Sequence, residues 1–308
     1  MAREATERAG GIDVPVTRLD KPFFPDDGIS KGDLIEYYRS VAAVMIPYLR
    51  DRPLVMERYP DGIAGQGVVQ KNVPRYFPDW VTRAEVPKQH GGVLCQVVGD
   101  KPATLVYLAN QGCIELHVFL SALGALDRPD QLVFDLDPPD AAHFGEARRT
   151  ALDLRELLEG ELGLAAYVKT TGGKGLHVYV PLRPGDDFDS VRGFAREIAD
   201  LLVSRSPERL TTEQRKEQRG QRLYLDLMRN GYAQMVVAPY SVRARPGAPV
   251  AAPLDWAELD GDLSPGQFTL RTLGDRLARQ SRDPWAGMTR HRRGLSAPRR
   301  RLAALLPR

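Results

Sequence analysis

The 308-residue chain is 43% hydrophobic, enough to bury one large core or two adjoining ones. Its net charge of +3 permits nucleic-acid binding without demanding it, and no run approaches the ~18 consecutive apolar residues of a membrane helix. Two cysteines, Cys95 and Cys113, lack any CxxC or Cys/His spacing, which sets zinc aside and reads as buried thiols in a reducing compartment.

The charged opening MAREATERAGG has no apolar stretch, so no secretory signal is expected and the cytoplasm is the default location. Residues 1–13 read as a loose lead-in. Ser30-Lys31-Gly32-Asp33 then predicts a helix start, a Ser cap with an acid three residues later. The stripe Leu34, Ile35, Tyr38, Val41, Ala42 and Met45 carries that helix to about Leu49. Strands are predicted at 54–58, 67–70, 93–98, 103–108, 114–119 and 132–136. Residues 146–162 read as a helix with Ala151, Leu154, Leu157 and Leu158 on one face. Segments 166–170 and 176–181 read as two strands joined by the turn Gly172-Gly173, followed by a helix at 190–204. Strands near 223–227 and 235–239, a Pro/Ala linker at 246–253 and a short helix from about Arg271 complete the pattern. Helices and strands mix without βαβ alternation, so the fold class is α+β. After Asp283 no acidic residue remains, while Arg290, Arg292, Arg293, Arg299, Arg300, Arg301 and Arg308 accumulate. Residues 289–308 therefore read as a solvated, partly disordered basic tail, with DNA contact as the alternative.

The chemistry concentrates in acidic strands. In Val133-Phe134-Asp135-Leu136-Asp137-Pro138-Pro139, alternation puts Asp135 and Asp137 on one face of a strand that the prolines end. Two like charges so placed repel unless a cation lies between them, and magnesium or manganese suits such hard oxygen donors. A solvated strand end would explain the pair alone. Tyr224-Leu225-Asp226-Leu227-Met228 adds a carboxylate inside an apolar run, costly without a partner or a metal. Three carboxylates on neighbouring strands are what two-metal phosphoryl transfer requires, and this outweighs a structural ion pair for Asp226.

Between the acids lies Lys169-Thr170-Thr171-Gly172-Gly173-Lys174-Gly175-Leu176-His177-Val178. Its glycines let backbone N–H groups approach an anion, Thr171 adds a hydroxyl, Lys174 a charge, and His177 re-emerges on the next strand. The Walker A spacing is absent. A glycine hairpin can be only a turn, but with metal-type carboxylates on both sides a triphosphate site is the better reading. Arg219 could clamp a further phosphate, as could Arg243 and Arg245, which are also compatible with ordinary surface arginines.

This order of motifs resembles the archaeo-eukaryotic primase superfamily, and more closely the polymerase domain of bacterial DNA ligase D. Leu19-Asp20-Lys21-Pro22-Phe23-Phe24-Pro25, Ile29-Ser30-Lys31-Gly32-Asp33 and Arg58-Tyr59-Pro60-Asp61-Gly62 match that group. So do Gln70-Lys71-Asn72, Ile114-Glu115-Leu116-His117-Val118 and Asp283-Pro284-Trp285. The match runs over roughly residues 15 to 288 and sets a primase-polymerase domain at 14–288 as one two-lobed unit. It implies a primase-type core with a mixed or antiparallel sheet flanked by helices, plus a smaller N-terminal α/β lobe packed against it. By the same resemblance Asp135, Asp137 and Asp226 would bind two metal ions, manganese preferred over magnesium. Thr171, Lys174, His177 and Arg219 would line an NTP or dNTP, with His117 nearby.

Lys21 and Lys31 would bind the 5′-phosphate on the downstream side of a gap. For Lys31 there is an independent warrant: a lysine in a first helical turn opposes the macrodipole, and a phosphate there would recruit dipole, amides and lysine together. A solvated lysine is the alternative. Template contact would fall on Val68, Val69, Lys71 and Asn72. Members of the group often carry aromatics before Gln70-Lys71-Asn72, worth ~1–3 kcal/mol per stacked base, whereas valine offers no π-face.

The resemblance implies a polymerase filling gaps or 3′ overhangs at DNA ends in non-homologous end joining. Ribonucleotides would be favoured, a DNA ligase and Ku would be partners, and the nucleoid the place of action. The competing readings are a primase that starts chains, a module that recognises 5′-phosphorylated ends, and a metal-dependent nuclease. The nuclease leaves the glycine-lysine hairpin unexplained.

Overall fold

The computed structural model describes residues 4–306 of the chain. A hairpin of β1 (Glu4–Ala9) and β2 (Ile12–Thr17) is followed by the short pair β3 (Pro22–Phe24) and β4 (Ile29–Ser30), then α1 (Lys31–Leu49). Next come β5 (Pro53–Arg58), β6 (Val68–Gln70), β7 (Arg83–Pro87), β8 (Val93–Val98), α2 (Pro102–Asn110) and β9 (Cys113–Phe119). The middle of the chain forms β10 (Gln131–Asp137), α3 (Phe144–Arg155), β11 (Tyr167–Thr170), β12 (Leu176–Pro181) and α4 (Phe188–Arg205). It continues with β13 (Leu210–Thr211), α5 (Lys216–Arg219) and β14 (Leu223–Asp226). The remainder supplies β15 (Met235–Val237), β16 (Pro253–Leu254), α6 (Leu273–Arg279) and α7 (Ser296–Leu305). No helix among the described residues is long and apolar enough to cross a membrane.

Two compact units form, each from three separated stretches. The first takes residues up to Phe119, Met235–Ala252 and Gly266–Asp283; the second takes Leu120–Gln234, Pro253–Pro265 and the chain from Pro284 onward. In the first, an antiparallel sheet runs β15-β9-β5-β8-β7, with β6 also paired to β5. The second carries the order β13-β14-β10-β12-β11-β16, antiparallel except for β13 beside β14. The fold is thus α+β, with one antiparallel and one mixed six-stranded sheet beside the two-stranded pairs β1–β2 and β3–β4.

α1 begins as its cap predicts. Ser30 Oγ accepts from the Asp33 amide at 3.2 Å while the Asp33 carboxylate accepts from the Ser30 amide at 2.7 Å. Its stripe from Leu34 to Met45 is buried. Residues 103–108, expected as a strand, are instead the middle of α2. Pro102 stands in the first turn, where its missing N–H costs nothing, and every residue from Ala103 to Ala109 is buried. With no polar face, helical periodicity leaves no trace. The helix expected over 146–162 is α-helical only to Arg155 and closes in wider π turns over Glu156–Leu162.

Three segments expected to be loose are packed. Residues 4–13 of the supposed lead-in belong to the β1–β2 hairpin, which runs on to Thr17, turns at Gly10 and Gly11 and buries Val14 and Val16 completely; residues 1–3 lie outside the described residues. In the supposed 246–253 linker, Ala248, Val250, Ala251 and Ala252 are buried, and isolated bridges join Val250 to Val242 and Pro249 to Thr269.

The basic tail is a helix with anchors. Arg292 Nη2 pairs with the buried Asp130 carboxylate at 2.5 Å, Arg299 donates to the Ser190 carbonyl, and Arg301 to the Leu162 carbonyl. Leu302 is fully buried. Arg308 lies outside the described residues. Cys113 is buried as expected and Cys95 is half-buried; both are free thiols.

Arg292 is one partner of an Asp130 carboxylate that is only 1% exposed, so its removal takes away a buried charge-assisted interaction. Arg292→Ala should lower unfolding free energy by about 2 kcal/mol in urea titration. A solvated tail would change it by less than about 0.5 kcal/mol.

Candidate active site

β10 is a core strand because Phe134 and Leu136 are fully buried on one face and Val133 on the other, and alternation carries Asp135 and Asp137 on the Val133 face toward the strand's end. Its neighbours fix what those carboxylates meet. Across one ladder Asp135 faces His177 of β12; across the other it faces Asp226 of β14. Asp137 faces Tyr224. Three carboxylates thus lie on two adjacent strands.

The electrostatics follow this register. Burial pushes the Asp135 carboxyl up, but the His177 charge and hydrogen bond, with Nε2 at 3.4 Å, bring it below the ordinary range. Asp226 is held above its ordinary range by burial, the Met228 amide pulling it down and the Asp135 charge pushing it further up. A cation between the two would relieve that repulsion, and an all-carboxylate donor set fits magnesium or manganese. As they stand, Asp135 leans to His177 and Asp137 to Lys174. Among the described residues, the grouping whose ligand atoms all lie within 4.8 Å of one another is Glu57, Glu115 and His117, in the first unit.

The glycine hairpin from β11 to β12 is locked onto β10. A Cβ on Gly175 would stand 2.3 Å from the Leu136 carbonyl oxygen, so only glycine allows that approach, and Gly172 takes the left-handed conformation at φ 66°. Thr171 Oγ1 accepts from the Gly173 amide at 3.2 Å and donates to the Gly175 carbonyl at 3.1 Å. Lys174 Nζ reaches Asp137 at 3.2 Å and the Pro139 carbonyl at 2.9 Å. Thr171, Gly172, Gly173, Lys174 and His177 are therefore gathered beside Asp135 and Asp137. Arg219 joins them: it donates to the Glu213 and Gln214 carbonyls, lies 3.6 Å over the Tyr224 ring and comes within 3.7 Å of Asp137.

Three residues to which sequence reasoning gave no role belong here. Lys169 is fully buried on β11 as the register partner of His177, and its charge lowers Asp135. Arg229 lowers both Asp135 and Asp226. Asn230 is a stapling residue: its Oδ1 accepts from the Val133 amide at 2.9 Å and its Nδ2 donates to the Val133 carbonyl at 2.7 Å. It continues the ladder where β14 has ended, through an interaction 97 residues long that no local pattern encodes.

The other candidate residues lie in the first unit. His117 stands between Glu115 at 3.3 Å and Glu57 at 3.5 Å, and Arg243 closes the group on Glu115 at 2.8 Å. Burial pushes the His117 imidazole down, but the two carboxylates raise it above its usual value. Arg245 is exposed.

Lys31 is not solvated: it is 5% exposed and donates to the Thr17 carbonyl at 2.6 Å. Lys21 donates to Asp61 and to the Pro60 carbonyl. Burial and the charges of Arg18 and Lys21 bring the Lys31 amine down to about 8, which puts three cations in one neighbourhood. Val68, Val69, Lys71 and Asn72 are exposed on β6 and the loop after it.

A family model described as the LigD primase-polymerase domain matches residues 30–285. The bifunctional non-homologous end joining protein LigD of Bacillus subtilis is 35% identical over 265 residues, covering 86% of this chain and 42% of that protein. The multifunctional non-homologous end joining protein LigD of Pseudomonas aeruginosa is 34% identical over 301 residues, covering 97% and 36%. The chain thus spans less than half the length of these relatives. Among solved structures, the polymerase domain from Mycobacterium tuberculosis Ligase D in complex with DNA aligns with a TM-score of 0.83 at 30% identity. That alignment covers 89% of this chain and 97% of the other.

Asn230→Ala leaves a buried amide and a buried carbonyl of Val133 without these partners. It should cost about 2–4 kcal/mol of unfolding free energy. Measured by urea titration, a loss below about 0.5 kcal/mol would make the staple dispensable.

Proposed function

The chain belongs to the LigD primase-polymerase domain family, and from that premise we propose a template-dependent polymerase that fills short gaps and 3′ overhangs at DNA ends in non-homologous end joining. It is a nucleotidyl transferase by family, and membership implies use of a divalent metal. The observation that carries the reading is the register of β10, which sets Asp135 between Asp226 and His177 with the glycine-lysine hairpin alongside.

In this reading Asp135, Asp137 and Asp226 hold two manganese or magnesium ions. Bound metal supplies Lewis acidity at the attacking 3′-hydroxyl and at the leaving pyrophosphate. Lys174, Thr171 and the Gly172-Gly173 amides cradle the triphosphate, and Arg219, pre-oriented on Tyr224, adds a second cation. His177 holds the Asp135 carboxylate in place. His117 and Arg243 are proposed as further nucleotide contacts, with Arg245 as an outer one. Preference for ribonucleotides, a ligase and Ku as partners, and action at the nucleoid in the cytoplasm are parts of the same proposal.

Lys21 and Lys31 are proposed to take the downstream 5′-phosphate, supported by their proximity to each other and to Arg18. That cluster also favours a second reading, an end-recognition module in which synthesis is secondary.

Asp135→Ala separates the two. With a gapped duplex, a labelled primer, manganese and nucleotides, extension should fall to background while binding to phosphorylated ends persists. Synthesis that survives the substitution would remove the metal assignment.

The Lys31 amine is cationic below about pH 8 and neutral above it. The affinity gained from a 5′-phosphate should therefore decline from about pH 7 to about pH 9. Paired titrations of gapped duplexes with and without the phosphate measure that gain. A level gain would exclude Lys31 from the contact.

A further inference from the structure

Five large hydrophobic side chains are exposed among the described residues, and four of them, Val68, Val69, Tyr76 and Val93, belong to one part of the first unit. Val68 and Val69 lie on β6 and Val93 opens β8. The loop after β6 is tied to β8, the Asn72 side chain accepting from the Cys95 amide at 3.0 Å and the Val73 amide donating to the Cys95 carbonyl at 2.7 Å.

Tyr76 differs from the valines around it. It is 61% exposed yet fixed at both ends. Its hydroxyl accepts from Arg58 Nη1 at 3.0 Å, and the same nitrogen donates to Gln70 Oε1 of β6 at 2.6 Å. Arg58 is the register partner of Val68, so Val68, Gln70 and the tyrosine hydroxyl share one face of the β5–β6 ribbon. The ring meets the buried Phe77 edge-on at 5.4 Å, and Phe77 rests on Tyr107 at 5.0 Å. An aromatic held this way offers a face to solvent with little ordering entropy left to lose on binding.

The segment that carries it has charge of one sign. No acidic residue lies between Asp61 and Asp79 in the sequence. Lys71 and Arg75 are exposed on either side of the loop and make no ion pair among the described residues. A fixed aromatic face on a loop that also exposes Lys71 and Arg75 suits single-stranded nucleic acid, bases stacking on the ring and phosphates meeting the cations.

We propose that Tyr76 is the base-stacking platform for an unpaired strand, on a surface where β6 itself offers only Val68 and Val69. The identification of that strand as the template rests on the polymerase reading. Stacking tolerates any base, so the platform would hold template without reading sequence.

The test uses the full chain and a duplex with a single-stranded overhang carrying 2-aminopurine, with a blunt duplex as control. Tyr76→Ala should weaken overhang binding roughly five- to hundred-fold and abolish the quenching of the base analogue. Tyr76→Phe should retain both, and blunt-duplex binding should be unchanged in each. Tyr76→Ala binding the overhang as the unaltered protein does, or Tyr76→Phe losing as much as Tyr76→Ala, overturns the proposal. If the unaltered protein extends a primer and Tyr76→Ala costs nothing, the platform fails and the polymerase reading stands. If overhang binding depends on the ring but no primer is extended, the platform stands and the polymerase reading fails.

Discussion

Repulsion between Asp135 and Asp226 is the constraint on which the second unit turns. Like charges opposed across a ladder at about 5 Å repel by roughly 3 kcal/mol at an effective dielectric near 20. That is a sizeable part of a domain's net stability. The surrounding residues supply positive charge: His177 across the other ladder, Lys174 from the hairpin, Arg219 from α5, Lys169 from β11 and Arg229 from beyond β14. Two of them are fixed by backbone geometry. The glycine at 175 brings the hairpin against Leu136, and the Glu213 and Gln214 carbonyls aim Arg219. An arrangement set up before any ligand arrives has little reorganisation left to do, which is the condition under which electrostatic catalysis is most effective.

The first unit handles charge in two other ways. Glu57, His117, Glu115 and Arg243 form a closed set in which each charge has a partner of opposite sign. The surface beyond β6 does the opposite, leaving Lys71 and Arg75 open to solvent next to an immobilised ring. A closed set keeps its own geometry, whereas an open one gains most from a polyanion. The same unit therefore holds one group suited to positioning and one suited to capture.

What could be seen in the sequence was what short spacings encode. The Ser30–Asp33 capping box acts over three residues, and the two-residue period of Asp135 and Asp137 puts both on one face. The hairpin between β11 and β12 was equally visible, because its turn is made by its own glycines. What stayed hidden depends on distant partners. Arg292 reads as tail until it meets Asp130, 162 residues earlier, and Asn230 reads as loop until it completes the ladder at Val133. α2 failed for another reason: buried on all sides, it has no polar stripe, and only Pro102 marked its start. The acidic partners of His117 come from positions 57 and 115, so their grouping needs the pairing of β5 with β9.

The way the chain is shared between the units has a bearing on how the protein is made. Synthesis is vectorial, and domains tend to fold as their last residues emerge. Here β15 and the stretch Gly266–Asp283 belong to the first unit although the second has by then been largely translated. The first unit must wait, its β9 edge unpaired with β15, while β10 to β14 of the second sheet emerge behind it. Neither half can be handed on as a cassette, so recombination can lengthen or decorate this enzyme at its loops but can exchange it only entire.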